Sequence, residues 1–143
     1  ENPKIGRLAT RAGLGAVLAS QAAQVPSSEL FLTGGDTSVR GYGVRSIGRS
    51  DGAQTLVLPG RLMWLGSLEW QRPTTWGGDF GRIEQTLFID AAAVSDRVAQ
   101  QSVFVGTGTG IRLLSPVGPM QADLAYGHKT KEWRLHLFVG IRF

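Results

Sequence analysis

Roughly ten residues at a time, apolar and polar side chains alternate along this chain, and a segment that does so fits a β-strand with unlike surroundings on its two faces. The last run sets Trp133, Leu135, Leu137, Val139, Ile141 and Phe143 against Arg134, His136, Phe138, Gly140 and Arg142. Before it, Met120, Ala122, Leu124 and Tyr126 oppose Gln121, Asp123, Ala125 and Gly127. Runs over 103–114, 82–93 and 61–71 repeat the pattern, and a weaker one covers Leu8–Gln21. At roughly 9 to 13 residues these strands exceed the ordinary five or six. Strands near ten residues with alternating faces are what a tilted transmembrane β-strand needs. The polar face carries Arg61, Glu69, Arg82, Glu84, Asp90, Arg112, Asp123, Arg134 and Arg142, mixed in sign and interspersed with glycine. A wet barrel lumen tolerates such a face.

The pattern predicts an all-β fold, a transmembrane antiparallel β-barrel of which this chain supplies six strands. The connections support it. Ser115-Pro116-Val117-Gly118-Pro119 is a tight turn, 96–102 and 128–132 are short polar loops, and a long loop spans about 22–60. If Phe143 ends at the periplasmic side, counting back puts the Pro-Val-Gly-Pro turn on that side and the long loop outside. Outer-membrane barrels have the same asymmetry of short periplasmic turns and longer outer loops. Trp64, Trp70, Trp76, Trp133 and Tyr126 suit aromatic girdles at the two interfaces. Six strands do not close a transmembrane barrel, for which about eight is the lower limit. An open sheet in lipid would leave N–H and C=O groups unpaired at several kcal/mol each. Further strands are therefore expected before Glu1, or a combination of chains.

Composition narrows the remaining classes. No run of 18 apolar residues exists, which excludes a transmembrane helix. The absence of cysteine excludes disulfides and thiolate metal sites. The net charge of +4 comes from scattered single residues without a Lys/Arg run, so nucleic acid is not an expected partner. The opening Glu1-Asn2-Pro3 has neither a charged n-region nor an apolar h-region, and the chain reads as a processed piece of something longer.

Within the long loop stands GGDTSVRGYG, Gly34 to Gly43, too polar for a strand and too rich in glycine for a helix. On residue types alone it reads as a polar surface loop with an incidental arginine. Its core, Val39-Arg40-Gly41-Tyr42, resembles the loop-six signature of the Omp85 superfamily of outer-membrane barrels, the group of BamA, TamA and the two-partner-secretion transporters. Leu87-Phe88-Ile89-Asp90-Ala91-Ala92 is similar to that family's strand-thirteen motif Phe-x-Asp-x-Gly, with Ala92 in the glycine's place. Gly66-Ser67-Leu68-Glu69-Trp70 resembles the preceding strand, and Phe143 the C-terminal aromatic of the assembly signal. The wording of the whole chain is most similar to the TamA branch.

The resemblance implies that residues 1–143 are the C-terminal six strands of a sixteen-stranded barrel in the bacterial outer membrane. It implies that the loop folds inward, with Gly34, Gly35, Asp36, Val39, Arg40, Gly41 and Tyr42 as its motif. Arg40, a planar fork of five donors, then suits Asp90 or Glu69 on the lumen face, as a wet pair worth on the order of 1 kcal/mol. Leu137, Val139, Ile141 and Phe143 share the outer face of the last strand as the assembly signal. The implied function is insertion or secretion of outer-membrane proteins such as autotransporters, without bond chemistry, cofactor or metal. Implied partners are the lipid bilayer, client β-barrel proteins, upstream strands and POTRA domains of the same polypeptide, and a TamB-like protein anchored in the inner membrane. A two-partner-secretion transporter, the barrel anchor of a patatin-type lipase and a structural or porin-like barrel stay open as alternatives.

Other motifs carry less. Gly106-x-Gly108-x-Gly110 lies on one face of a strand and does not open a helix, as a dinucleotide fingerprint must. His128 and His136 have no second histidine at ligand spacing. Asp90 and Glu69 could form a catalytic dyad on spacing, but a lumen salt bridge is the simpler use.

Overall fold

A computed structural model describes residues 5–20, 23–50, 56–74, 82–116 and 118–140. Six long strands form one antiparallel sheet: β1 (Arg7–Ala16), β4 (Leu62–Pro73), β5 (Arg82–Ser95), β6 (Phe104–Ser115), β7 (Gly118–Gly127) and β8 (Glu132–Val139). They pair in sequence order, β1-β4-β5-β6-β7-β8, and β1 and β8 each keep one unpaired edge among the described residues. The two-residue strands β2 (Arg49–Ser50) and β3 (Val57–Leu58) make a small separate ribbon inside the long loop. The register runs without a break, with Leu62↔Ser95 to Pro73↔Glu84 between β4 and β5, and Gly106↔Gly127 to Ser115↔Gly118 between β6 and β7.

Burial is inside out. Glu84, Asp90, Asp123 and Glu69 are buried, whereas Leu14 is 88% exposed and Leu137 66%. Leu68, Leu87, Ile89, Ile111, Leu124, Leu135 and Val139 join the exposed apolar face. Alternation explains how one strand does both: Glu84, Thr86, Phe88, Asp90 and Ala92 of β5 face inward, and Leu87 and Ile89 face out. An apolar exterior over a charged interior fits a sheet with lipid outside and a polar lumen inside. No described helix is long and apolar enough to cross a membrane.

Two tryptophans mark the ends of this wall. Trp64 Nε1 donates to Gln101 Oε1 at 3.0 Å near the loop end, and Trp70 Nε1 donates to the Ile5 carbonyl at 3.0 Å near the turn end. Five residues of strand lie between them, which sets them about 20 Å apart along the chain. Trp133 packs on Tyr126 at 5.1 Å between ring centres at the loop end. Trp76 lies outside the described residues.

The first strand is shorter than the alternation over Leu8–Gln21 suggests. It ends at Ala16 because its partner β4 begins at Leu62, and only one further bond, from Val17 N–H to the Arg61 carbonyl at 2.8 Å, continues the pairing. The long loop accordingly runs from residue 17 to 61 rather than from about 22 to 60. It is tied off by bridges between Phe31 and Gly60 and between Thr33 and Ile47. At the opposite end, Ser115 Oγ donates to the Gly118 carbonyl at 2.7 Å across the tight β6–β7 turn.

Candidate functional site

The loop does not stay at the rim. Val39, Tyr42 and Ile47 are fully buried against Ala92 and Val94 of β5, with Phe31, Met63, Leu65 and Phe104 packed around them. This small apolar core holds the loop against the inner face of the sheet. Gly34 and Gly35 supply positive φ angles of 111° and 99° where the chain reverses. The Gly34 N–H donates to Ser38 Oγ at 2.8 Å, and the Gly35 N–H to the Val39 carbonyl at 3.2 Å. From β1, Arg11 donates to the carbonyls of Thr37 and Ser38 at 2.6 and 3.0 Å. Asp36 is exposed at the tip of this turn.

Arg40 lies at the centre, 6% exposed. Its Nε and Nη2 donate to the two oxygens of Asp90 at 2.7 and 3.0 Å, a bidentate fork. Its Nη1 donates to Glu69 Oε2 at 2.6 Å and to Asp123 Oδ2 at 2.9 Å. Its backbone N–H donates to Asp90 Oδ2 at 3.1 Å. The guanidinium carbon stands 3.4 Å from the centre of the Phe88 ring. Burial by itself would lower the pKa of this group, but the hydrogen bonds and charges of Asp90, Glu69 and Asp123 outweigh it and the pKa is raised. The arginine is thus locked in its charged form by three strands, β5, β4 and β7.

A second tier fixes the acids. Ser67 Oγ donates to Asp90 Oδ1 at 2.6 Å, Gln71 Nε2 to Glu69 Oε1 at 2.6 Å, and Gln121 Nε2 to Asp123 Oδ2 at 2.7 Å. Arg112 donates to Glu69 at 3.0 Å and to Gln121 at 2.9 Å. Arg40, Glu69, Asp90 and Asp123 are all buried, and a polar cavity of about 260 Å³ opens beside Arg40, Glu69 and Arg112. The cluster holds one acid more than the two that the sequence reading named. Asp123 shares the inward phase of β7 with Gln121 and Ala125, so the alternation marked its face, but no motif pointed to it.

This constellation joins a buried loop arginine to acids on neighbouring barrel strands. The Omp85 superfamily domain matches residues 4–143. This chain belongs to the Omp85 superfamily. Omp85 proteins are outer-membrane β-barrels of Gram-negative bacteria, whose work is the assembly or secretion of outer-membrane proteins.

In this Omp85 chain the glycine stripe of β6 has a use that the sequence reading missed. A Cβ on Gly106 would lie 1.9 Å from the Arg40 carbonyl oxygen, and one on Gly127 of β7 would lie 2.5 Å from the Gly41 carbonyl oxygen. Gly41 itself has φ of 93°, with Gly127 N 2.8 Å from where its Cβ would be. The loop backbone lies directly on the wall, and these glycines are its seat. A carbonyl oxygen docking on Cα leaves no side-chain signature, so spacing alone showed only that the glycines share a face.

Tyr42 pins the next position. Its hydroxyl donates to the Val105 carbonyl at 2.9 Å and accepts from the Lys129 N–H at 3.1 Å, while its ring meets Phe104 edge-on at 5.5 Å. Tyr42→Phe keeps the ring but removes both bonds; the Val105 carbonyl keeps the His128 N–H, while the Lys129 N–H loses its acceptor. The substitution is expected to weaken loop seating by about 1–3 kcal/mol, read as faster proteolysis of the loop at unchanged barrel content. Equal proteolysis would show that water replaces the hydroxyl at no cost. Among the described residues no group of three His, Asp or Glu side chains is arranged to hold a metal ion.

Proposed function

We propose that this chain forms the C-terminal six strands of a sixteen-stranded barrel in a TamA-like assembly factor that helps insert or secrete outer-membrane proteins such as autotransporters. The observation that carries this reading is the inward-folded loop of an Omp85 sheet: Arg40 anchors it to β4, β5 and β7, and a bond from Gly41 to His136 joins it to β8. An unpaired edge is a template for an incoming strand, whose backbone supplies the affinity. The loop braces the wall from inside while the seam at β8 opens sideways to a client. Upstream strands of the same polypeptide complete the barrel, with POTRA domains and a TamB-like protein as partners on the periplasmic side.

The test is secretion of a surface autotransporter in cells whose only copy of the full-length protein locks β8 to the upstream strand by an engineered disulfide. Client should accumulate in the periplasm under oxidising conditions and reach the surface once the bond is reduced. Normal secretion with the seam locked would sink the lateral-seam reading.

The exposed apolar face of β8, with Leu137 and Val139, continues by alternation to Ile141 and Phe143, which lie outside the described residues. Acting as an assembly signal, Phe143 contributes to recognition more than to folded stability. Deleting Phe143 should therefore lower folded barrel in the outer membrane while leaving refolding into detergent in vitro nearly intact. Heat-modifiable mobility of in-cell and refolded samples makes the comparison. An equal loss in both would make Phe143 a packing residue.

A further inference from the structure

His136 projects from β8 to the inner face, where its Nε2 lies 3.0 Å from the Gly41 nitrogen and accepts that N–H. A ring nitrogen accepts only when it carries no proton, so the imidazole in this arrangement is neutral, with its proton on Nδ1. Gly41 belongs to the loop motif, one residue past Arg40, with its backbone against Gly127 of β7. Among the described residues its N–H has no backbone acceptor, and His136 is its partner. The bond therefore spans from the seated loop to β8, the last strand of the sheet.

We infer that His136 is a positioning residue whose neutral imidazole ties the loop to the last strand and whose protonation releases that tie. Protonation turns Nε2 from acceptor to donor and sets two N–H groups facing each other. Imidazole is the side chain that changes charge between about pH 5 and 8. A polar cavity of about 210 Å³ opens beside the ring, lined in part by Arg11, Asp36, Gln121 and Asp123, and gives water a path to it. Charged groups face the ring from every neighbouring element: Asp36 and Arg40 from the loop, Asp123 from β7, Arg134 from β8 itself and Arg11 from β1. Carboxylates and guanidiniums both stand close, so a charged ring meets partners as well as repulsion.

The release is local. The fork between Arg40 and Asp90 shares no hydrogen bond with His136, so the loop keeps its seat on β4, β5 and β7 while its bond to β8 goes. That this frees β8 for a client strand rests on the assembly reading above; the tie itself does not.

Amide exchange of Gly41, followed by NMR in the full-length protein labelled with ¹⁵N-glycine in detergent, reads the tie directly. After correction for intrinsic exchange, protection should fall about tenfold, the size of one hydrogen bond, between about pH 7.5 and pH 5. His136→Gln places an amide oxygen where Nε2 stood and should hold protection level across the range. His136→Ala should be unprotected throughout; heat-modifiable mobility confirms that it folds, and His136→Gln decides the matter if it does not. Protection that ignores pH in the wild type, or that titrates equally in His136→Gln, overturns the proposal. If Gly41 behaves as expected while His136→Gln cells secrete clients normally at acid pH, the tie stands and its role in assembly falls.

Discussion

Arg40→Ala unseats the loop and leaves the wall standing. The substitution leaves Asp90, Glu69 and Asp123 buried together, three like charges that lose their shared cation. Removing one partner of a buried ion pair costs on the order of 3–5 kcal/mol, or a few hundredfold or more in the seated population. The wall should not feel this in full, because the strand ladders from β1 to β8 contain no atom of Arg40. Trypsin supplies the measurement. Arg45 and Arg49 lie exposed just beyond the motif, and cleavage after them should accelerate in the variant while heat-modifiable mobility stays that of a folded barrel. Client secretion at matched barrel levels should fall with it. Arg40→Lys should land between, since one ammonium cannot reproduce a planar fork that engages three acids. Wild-type cleavage and secretion in Arg40→Ala would remove the loop from any role in function.

Gly106→Ala should produce the same unseating by steric means. Its Cβ would stand 1.9 Å from the Arg40 carbonyl oxygen, and neither the loop backbone nor a central strand can shift cheaply. Judged as a strand residue, alanine is the better choice by about 0.5–1 kcal/mol, so the wall gains slightly while the loop is expelled. Gly66→Ala is the matched control. Nothing lies within 4 Å of the position its Cβ would take, so its effect should stay within about 0.5 kcal/mol. Loop cleavage that rises in Gly106→Ala and not in Gly66→Ala identifies the seat. Equal behaviour of the two variants would mean that the loop approaches the wall less closely than described here.

The wall was legible because lipid and lumen demand opposite side chains of the same strand. Leu87 and Ile89 outside, with Thr86, Phe88 and Asp90 inside, betray β5 residue by residue. The ribbon of β2 and β3 was not legible, since two residues per strand are too few to show a period. Nor was the end of β1, which is set by where β4 begins rather than by anything in Val17 or Leu18. Of the buried cluster, alternation revealed which acids face inward but not how many would converge on one guanidinium. The stacking of Arg40 on Phe88 is likewise a matter of three-dimensional closure. The seats at Gly106 and Gly127 are backbone against backbone, and no residue type announces them.

The partners of Arg40 stand 29, 50 and 83 positions further along the chain, at Glu69, Asp90 and Asp123. Contacts of such range close late, after the intervening chain has given up its freedom. The loop is synthesised before the strands that carry its acids, and it acquires them in the order that β4, β5 and β7 arrive. A sheet stalled before β7 lacks one of the three acids and the Gly127 half of the seat, so its loop is still at large and open to proteases. The settling of this one segment therefore reports that β4, β5 and β7 have all come together.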